Sequence, residues 1–164
     1  MNKKVPLLDL AAQHYGAREE IRAALDEVFL SQQFIMGKQV LNFEQAAADY
    51  FGCDYAVGVA SGTDALTLSL RALGIGPGDE VIVPAFTFYA TVESVLHVGA
   101  TPVFVDADPS SWNLDSALLQ QALATLSEQG ERAAAIIAVD LYGQCADYGA
   151  IEAACRESGA PPVS

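Results

Sequence analysis

The feature that most constrains the fold is a beat that starts at Tyr55, where short apolar runs begin to alternate with segments of helical period. Tyr55–Ala60 reads as a buried strand and Thr63–Leu73 as a helix closed by Gly74. Glu80–Val83 reads as a strand opened by the turn Gly76-Pro77-Gly78-Asp79 and stopped by Pro84. Phe88–Val98 fits a helix ended by Gly99, and Pro102–Val105 the next strand. Leu114–Leu126 follows as a helix with Asn113 or Ser111 as its cap, then Ala133–Val139 as a strand. Ala146–Glu157 is a helix ended by Gly159, and Pro161-Pro162-Val163 leads into one more strand. Parallel neighbours need a crossover of a dozen or more residues, which a helix supplies. The alternation therefore predicts an α/β layer fold with a mostly parallel sheet and right-handed crossovers. The pattern breaks off in the middle of that architecture.

Before Tyr55 the period is helical only. Ile21, Ala24, Leu25, Val28 and Phe29 fall on one face of a segment from Tyr15 to Leu30. After Phe34-Ile35-Met36-Gly37, Val40, Phe43, Ala47 and Tyr50 form a second stripe, with Gly52 placed to cap it. Residues 1–54 are thus expected as a helical arm and loop, and 55–164 as part of a larger layered domain.

Composition narrows the function classes. Eight Lys and Arg against 21 Asp and Glu give a formal charge of −13. No basic cluster exists from which to build a phosphate-tracking surface, so a nucleic-acid role is disfavoured. Cys53, Cys145 and Cys155 show neither a disulfide framework nor metal-ligand spacing. No stretch approaches the roughly 20 apolar residues of a membrane helix. The start Met1-Asn2-Lys3-Lys4 is followed by no signal-peptide apolar core. A cytoplasmic protein without membrane partners is expected.

Three strand ends carry the chemistry. At Val59-Ala60-Ser61-Gly62-Thr63-Asp64, a small-residue turn enters a helix, whose first free N–H groups suit a phosphate or carboxylate. Ser61 and Asp64 also fit a plain capping box, and spacing alone favours the cap. At Pro84–Thr91, Phe86, Phe88 and Tyr89 offer a flat ring face to a planar ligand, or simply fill the core. At Val139–Asp147, Gln144 can donate to a ligand oxygen, while Cys145 has no nearby His and reads as an inert thiol. His14 and His97 read as structural. Asp106 and Asp108 look like paired carboxylates, but turn chemistry before a helix explains them better.

Taken in order, these segments are more specific than any one of them. Ser61-Gly62-Thr63-Asp64-Ala65-Leu66, Gly76–Pro84, Phe86–Thr91, Gly99–Asp106 and Leu141–Asp147 together closely resemble the DegT/DnrJ/EryC1/StrS family. The likeness runs from Leu7-Leu8-Asp9-Leu10 through the last residues. It implies the large domain of fold-type-I pyridoxal-phosphate (PLP) transferases, a three-layer α/β fold, here truncated to its N-terminal part. It implies that Gly62 and Thr63, with Ser61, hold the PLP phosphate, that Phe88 stacks on the pyridine ring, and that Gln144 lies in a loop near the cofactor. It implies a substrate that is a nucleotide-linked keto sugar, an amino-acid donor such as glutamate, and a homodimer when full length. Phe34–Gly37 resembles a loop near the sugar-nucleotide site of the family's dimers.

PLP transamination also needs a lysine that holds the cofactor covalently and moves a proton, and an acid that keeps the pyridine nitrogen protonated. The lysines here are Lys3, Lys4 and Lys38, none at the position the resemblance implies. The chain is therefore expected to carry the phosphate cradle and ring platform and to lack turnover alone. The resemblance leaves open a sugar dehydratase of the same family, with histidine in place of the lysine, and a non-catalytic sugar- or PLP-binding module.

Overall fold

The computed structural model describes residues 5–163, so Lys3, Lys4 and Ser164 lie outside the described residues. The chain divides into two compact units, residues 1–58 and 59–164.

The first unit holds three helices: α1 (Leu10–Tyr15), α2 (Arg18–Ser31) and α3 (Lys38–Phe51). Asp9 starts α1, its carboxylate accepting from the Ala12 N–H at 3.0 Å. Gly52 ends α3 at φ +68°, the left-handed cap its position predicts. The helix expected from Tyr15 to Leu30 is α2, while α1 lies within a segment given no element by periodicity. The apolar stripe of α2 stays uncovered within the unit, with Leu25 and Phe29 exposed.

The expected strand Tyr55–Ala60 is not a strand. The segment has no hydrogen-bonded strand partner among the described residues, and Tyr55 and Val57 are exposed. Its Gly58 N–H donates instead to Glu44 Oε1 on α3 at 2.7 Å. An apolar run predicts extended backbone, but only a paired ladder satisfies the groups of a strand.

The second unit is built on a four-stranded, wholly parallel sheet in the order β2-β1-β3-β4. The strands are β1 (Glu80–Pro84), β2 (Thr101–Val105), β3 (Ala133–Ile137) and β4 (Pro162–Val163). α4 (Gly62–Ala72) precedes β1, and α5 (Tyr89–Val98), α6 (Ser116–Glu128) and α7 (Tyr148–Ser158) run between the strands. Strand alternation sends Val81, Val83, Ala135 and Ile137 to one face, where they pack with Leu70 of α4 and Val95 of α5. Ile82, Val105 and Ile136 point the other way, to Leu119 of α6 and Ile151 of α7. The result is three layers, α/β/α, with two cores. A register shift after Glu80 puts one extra residue of β3 opposite β1, a bulge at the start of the sheet.

Helix boundaries moved for a local reason. α6 is capped not by Asn113 or Ser111 but by Asp115, which accepts from Ala117 N and Leu118 N at 2.8 and 3.0 Å. Asp147 likewise caps α7, accepting from Ala150 N at 3.0 Å. A carboxylate at the N-cap stabilises a helix start by about 1 kcal/mol.

Candidate active site

β1 lies between β2 and β3, and the chain leaves β1 for β2 before crossing back to β3. That reversal is a topological switch point, and open α/β sheets bind ligands beyond the carboxyl ends of strands at such a point. Three loops gather there: Ala85–Phe88 after β1, Asp106–Asp115 after β2, and Ala138–Asp147 after β3.

The start of α4 reaches the same edge. α4 ends in the turn that opens β1, so its last residues sit at the amino edge of the sheet. Eleven residues of helix rise about 16 Å, close to the length of a five-residue strand at about 3.3 Å per residue. α4 packs on α5, and a Cβ at Gly76, just past α4, would stand 3.7 Å from Val98 O at the end of α5, so the two helices run side by side and Ser61, Gly62 and Thr63 lie toward the carboxyl edge.

Ser61 caps α4 as its sequence predicts. Its hydroxyl accepts from Asp64 N at 3.1 Å and donates to Asp64 Oδ2 at 3.0 Å. The return bond thus goes to the hydroxyl rather than to the backbone of Ser61. The Ser61 carbonyl takes the Ala65 N–H at 3.0 Å. The N–H groups of Gly62 and Thr63 have no partner among the described residues. A Cβ on Gly62 would meet nothing within 4 Å, and the residue is exposed. The helix start adds its positive dipole end, while the Ser61 hydroxyl engages the Asp64 carboxylate.

Phe88 is the N-cap of α5 and is 73% exposed, its ring presented at the carboxyl edge rather than packed in the core. Gln144 is exposed in the loop after a 3₁₀ turn at Leu141–Gly143. Its backbone carbonyl accepts from Asn113 Nδ2 at 2.9 Å, and its side-chain amide reaches Cys145 O at 3.4 Å. Gln144 shares a groove of about 400 Å³ with Phe86, Trp112, Leu141 and Tyr142, beside Ser110 and Ser111. Phe86 and Trp112 meet ring to ring at 5.5 Å. The expected residues thus fall into two sets at one edge: Ser61–Thr63 with Phe88 at the starts of α4 and α5, and Gln144 in the groove.

Asp108 is a turn residue. Its carboxylate accepts from the Ser110 hydroxyl and from Ser111 N at 2.8 Å. Those bonds, the Ser110 hydroxyl first, hold its pKa down at about 2. Cys145 lies ahead of the α7 cap, so no helix start acts on it directly. His97 sits in the last turn of α5 near Glu93, and His14 in the last turn of α1.

Sequence reasoning missed Asn113, Trp112 and Tyr142. Asn113 stood as a possible helix cap and is instead a buried tie between loops. Trp112 and Tyr142 adopt φ of +63° and +56°, which no residue pattern announces for bulky aromatics.

A parallel sheet between two helix layers, with its loops gathered at a switch point, is the α/β architecture that places ligand sites at the carboxyl edge. Residues 16–163 match the DegT/DnrJ/EryC1/StrS aminotransferase family, and the chain belongs to it. The chain is 43% identical over 159 residues to the UDP-2-acetamido-2-deoxy-3-oxo-D-glucuronate aminotransferase of Pseudomonas aeruginosa, covering 97% of this chain and 43% of that protein. A DegT/DnrJ/EryC1/StrS aminotransferase from Brucella abortus is similar at TM-score 0.91 and 40% identity, covering 97% of this chain and 43% of that one. Bacillus subtilis NtdA, solved with bound cofactor PMP, is similar at TM-score 0.87 and 31% identity over 98% of this chain and 37% of that one. The chain spans about two-fifths of the length of these relatives. The family is PLP-dependent. The unpaired donors of Gly62 and Thr63 and the open space at Gly62 fit a phosphate monoester. No helix among the described residues is long and apolar enough to cross a membrane.

Proposed function

We propose that residues 55–164 form part of the PLP-binding domain of an aminotransferase, and residues 1–54 a helical arm and loop. The intact enzyme moves an amino group, from glutamate, to a keto sugar carried on a nucleotide, in the building of cell-surface polysaccharide or O-antigen. The observation that carries this reading is the pair of open N–H donors at Gly62 and Thr63; the packing of α4 on α5, whose N-cap is the exposed Phe88, supports it. The name of the P. aeruginosa relative supports the substrate class. The Leu141–Asp147 stretch resembles members that aminate the sugar 3-position.

Gly62 and Thr63 would hold the cofactor phosphate through their backbone N–H groups, with the hydroxyls of Ser61 and Thr63 at its rim. The Ser61 hydroxyl turns toward the phosphate only by leaving Asp64 Oδ2. Phe88 would lie along the pyridine ring and keep water from that face. Gln144 would border the site, with no particular bond assigned to it. PLP, when bound, supplies the electron-withdrawing ring on which amino-group transfer depends. The lysine and acid of that chemistry are not assigned to any residue here, and the 164-residue chain is expected to show no turnover. The intact enzyme is read as a cytoplasmic homodimer.

The test is a PLP titration of the chain followed by emission of Trp112, its one tryptophan. Saturable quenching is expected, weakened roughly fivefold in Phe88→Ala, the scale of one lost aromatic contact. Absence of saturable binding would overturn the cofactor assignment. Amination of a 3-keto sugar nucleotide by the chain alone would overturn the expectation of inactivity.

A further inference from the structure

The loops after β2 and β3 belong to the two strands that flank β1, so they meet above its carboxyl end. Asn113 joins them. It is 3% exposed, and its Nδ2 donates to Gln144 O and to Cys145 O, both at 2.9 Å. These partners lie 31 and 32 residues further along the chain. Its own loop is held firmly: Asp108 N donates to Asn113 O, and Trp112 N to Asp108 O, both at 2.8 Å.

The pattern of use is informative. Asn113 Oδ1 is buried with no partner among the described residues, so the side chain spends only its donor end. Gln144 and Cys145 are exposed, and water could satisfy their carbonyls equally well. What water cannot do is fix where that loop sits. Both loops also carry an aromatic residue at positive φ, Trp112 and Tyr142. Such conformations persist only where the surroundings hold them.

We infer that Asn113 is a positioning residue: it pins the Leu141–Cys145 segment to the Trp112 loop and so sets Tyr142 and Gln144 in the groove above β1. Where it concerns cofactor affinity, the inference rests on the reading under Proposed function. The pin itself does not.

Two variants test it in the 164-residue chain. Asn113→Ala removes the donors, and Asn113→Asp replaces them at constant size. Hydrogen exchange of the Gly143, Gln144 and Ala146 amides should speed up about tenfold in both, with Ile82 and Ile136 unchanged, the mark of local opening. Unchanged loop exchange, or loss of protection throughout the sheet, would overturn the inference. In PLP titrations, Asn113→Ala should weaken binding about fivefold at undiminished thermal stability, since it frees the whole Leu141–Cys145 segment beside the site. Undiminished affinity in a chain whose loop exchanges faster would contradict an effect of the pin on the cofactor site. If the native chain binds no PLP, the cofactor reading fails and the exchange result alone decides the pin.

Discussion

The two edges of the sheet solve the same problem differently. At the amino edge, where each helix returns to a strand, positive φ falls on glycine: Gly74, Gly99, Gly130 and Gly159. At the carboxyl edge it falls on Trp112 and Tyr142 as well as Gly143. Glycine reaches this region without steric cost, whereas a bulky L-residue pays roughly 1–2 kcal/mol. The turns of one edge are thus relaxed. The other keeps strained aromatics, open N–H groups and a groove. The contrast teaches that backbone strain is confined to the end of the strands where the cofactor site is proposed.

Substitution at the amino edge should give the largest effect on folding. At Gly99, with φ of +82°, a Cβ would meet Pro77 Cγ at 3.0 Å. Gly99→Ala should destabilise the chain by about 2 kcal/mol in urea unfolding, with PLP affinity of the folded fraction unchanged. A change in affinity without a change in stability would erase the division between the edges.

The opposite sign is expected at the carboxyl edge. Tyr142 is 94% exposed and has little packing to lose. Tyr142→Gly should raise stability by about 1 kcal/mol by relieving its backbone, and a loss of stability would show the conformation to be unstrained.

A smaller effect belongs to Glu80, the amino-edge residue where a buried carboxylate oxygen has no partner among the described residues. Burial, and then the Glu131 carboxylate, hold its pKa above the ordinary 4.5. The folded state therefore binds this proton more tightly than the unfolded state, so stability falls as pH rises from 4.5 through the raised value. Glu80→Gln should be nearly neutral at about pH 4 and stabilising at about pH 8. A pH-independent difference would remove the carboxylate from the account.

How much of this could be read beforehand depended on the kind of signal. Parallel strands flanked by helices leave a period, so β1, β2, β3 and the helices between them stood in the sequence within a few residues. Tyr55–Ala60 did not, because pairing depends on a neighbour that a local pattern does not contain. The Ser61 cap was legible because its partner Asp64 is three residues away. The tie from Asn113 to Gln144 was not, because it spans 31 residues and exists only once β2 and β3 flank β1. Asp115 caps α6 through the N–H groups of Ala117 and Leu118, a local signal that the apolar pattern alone did not single out.

The central claim is that the main-chain donors opening α4 grip a phosphate, and Gly62→Pro tests it most directly. Gly62 is the first residue of α4, where proline is well tolerated, and Ser61 before it is extended at ψ 166°, as a residue preceding proline should be. The substitution removes one N–H and leaves the helix in place. Calorimetric titration with PLP should show about tenfold weaker binding at undiminished thermal stability. Undiminished affinity in a folded Gly62→Pro chain would contradict the claim.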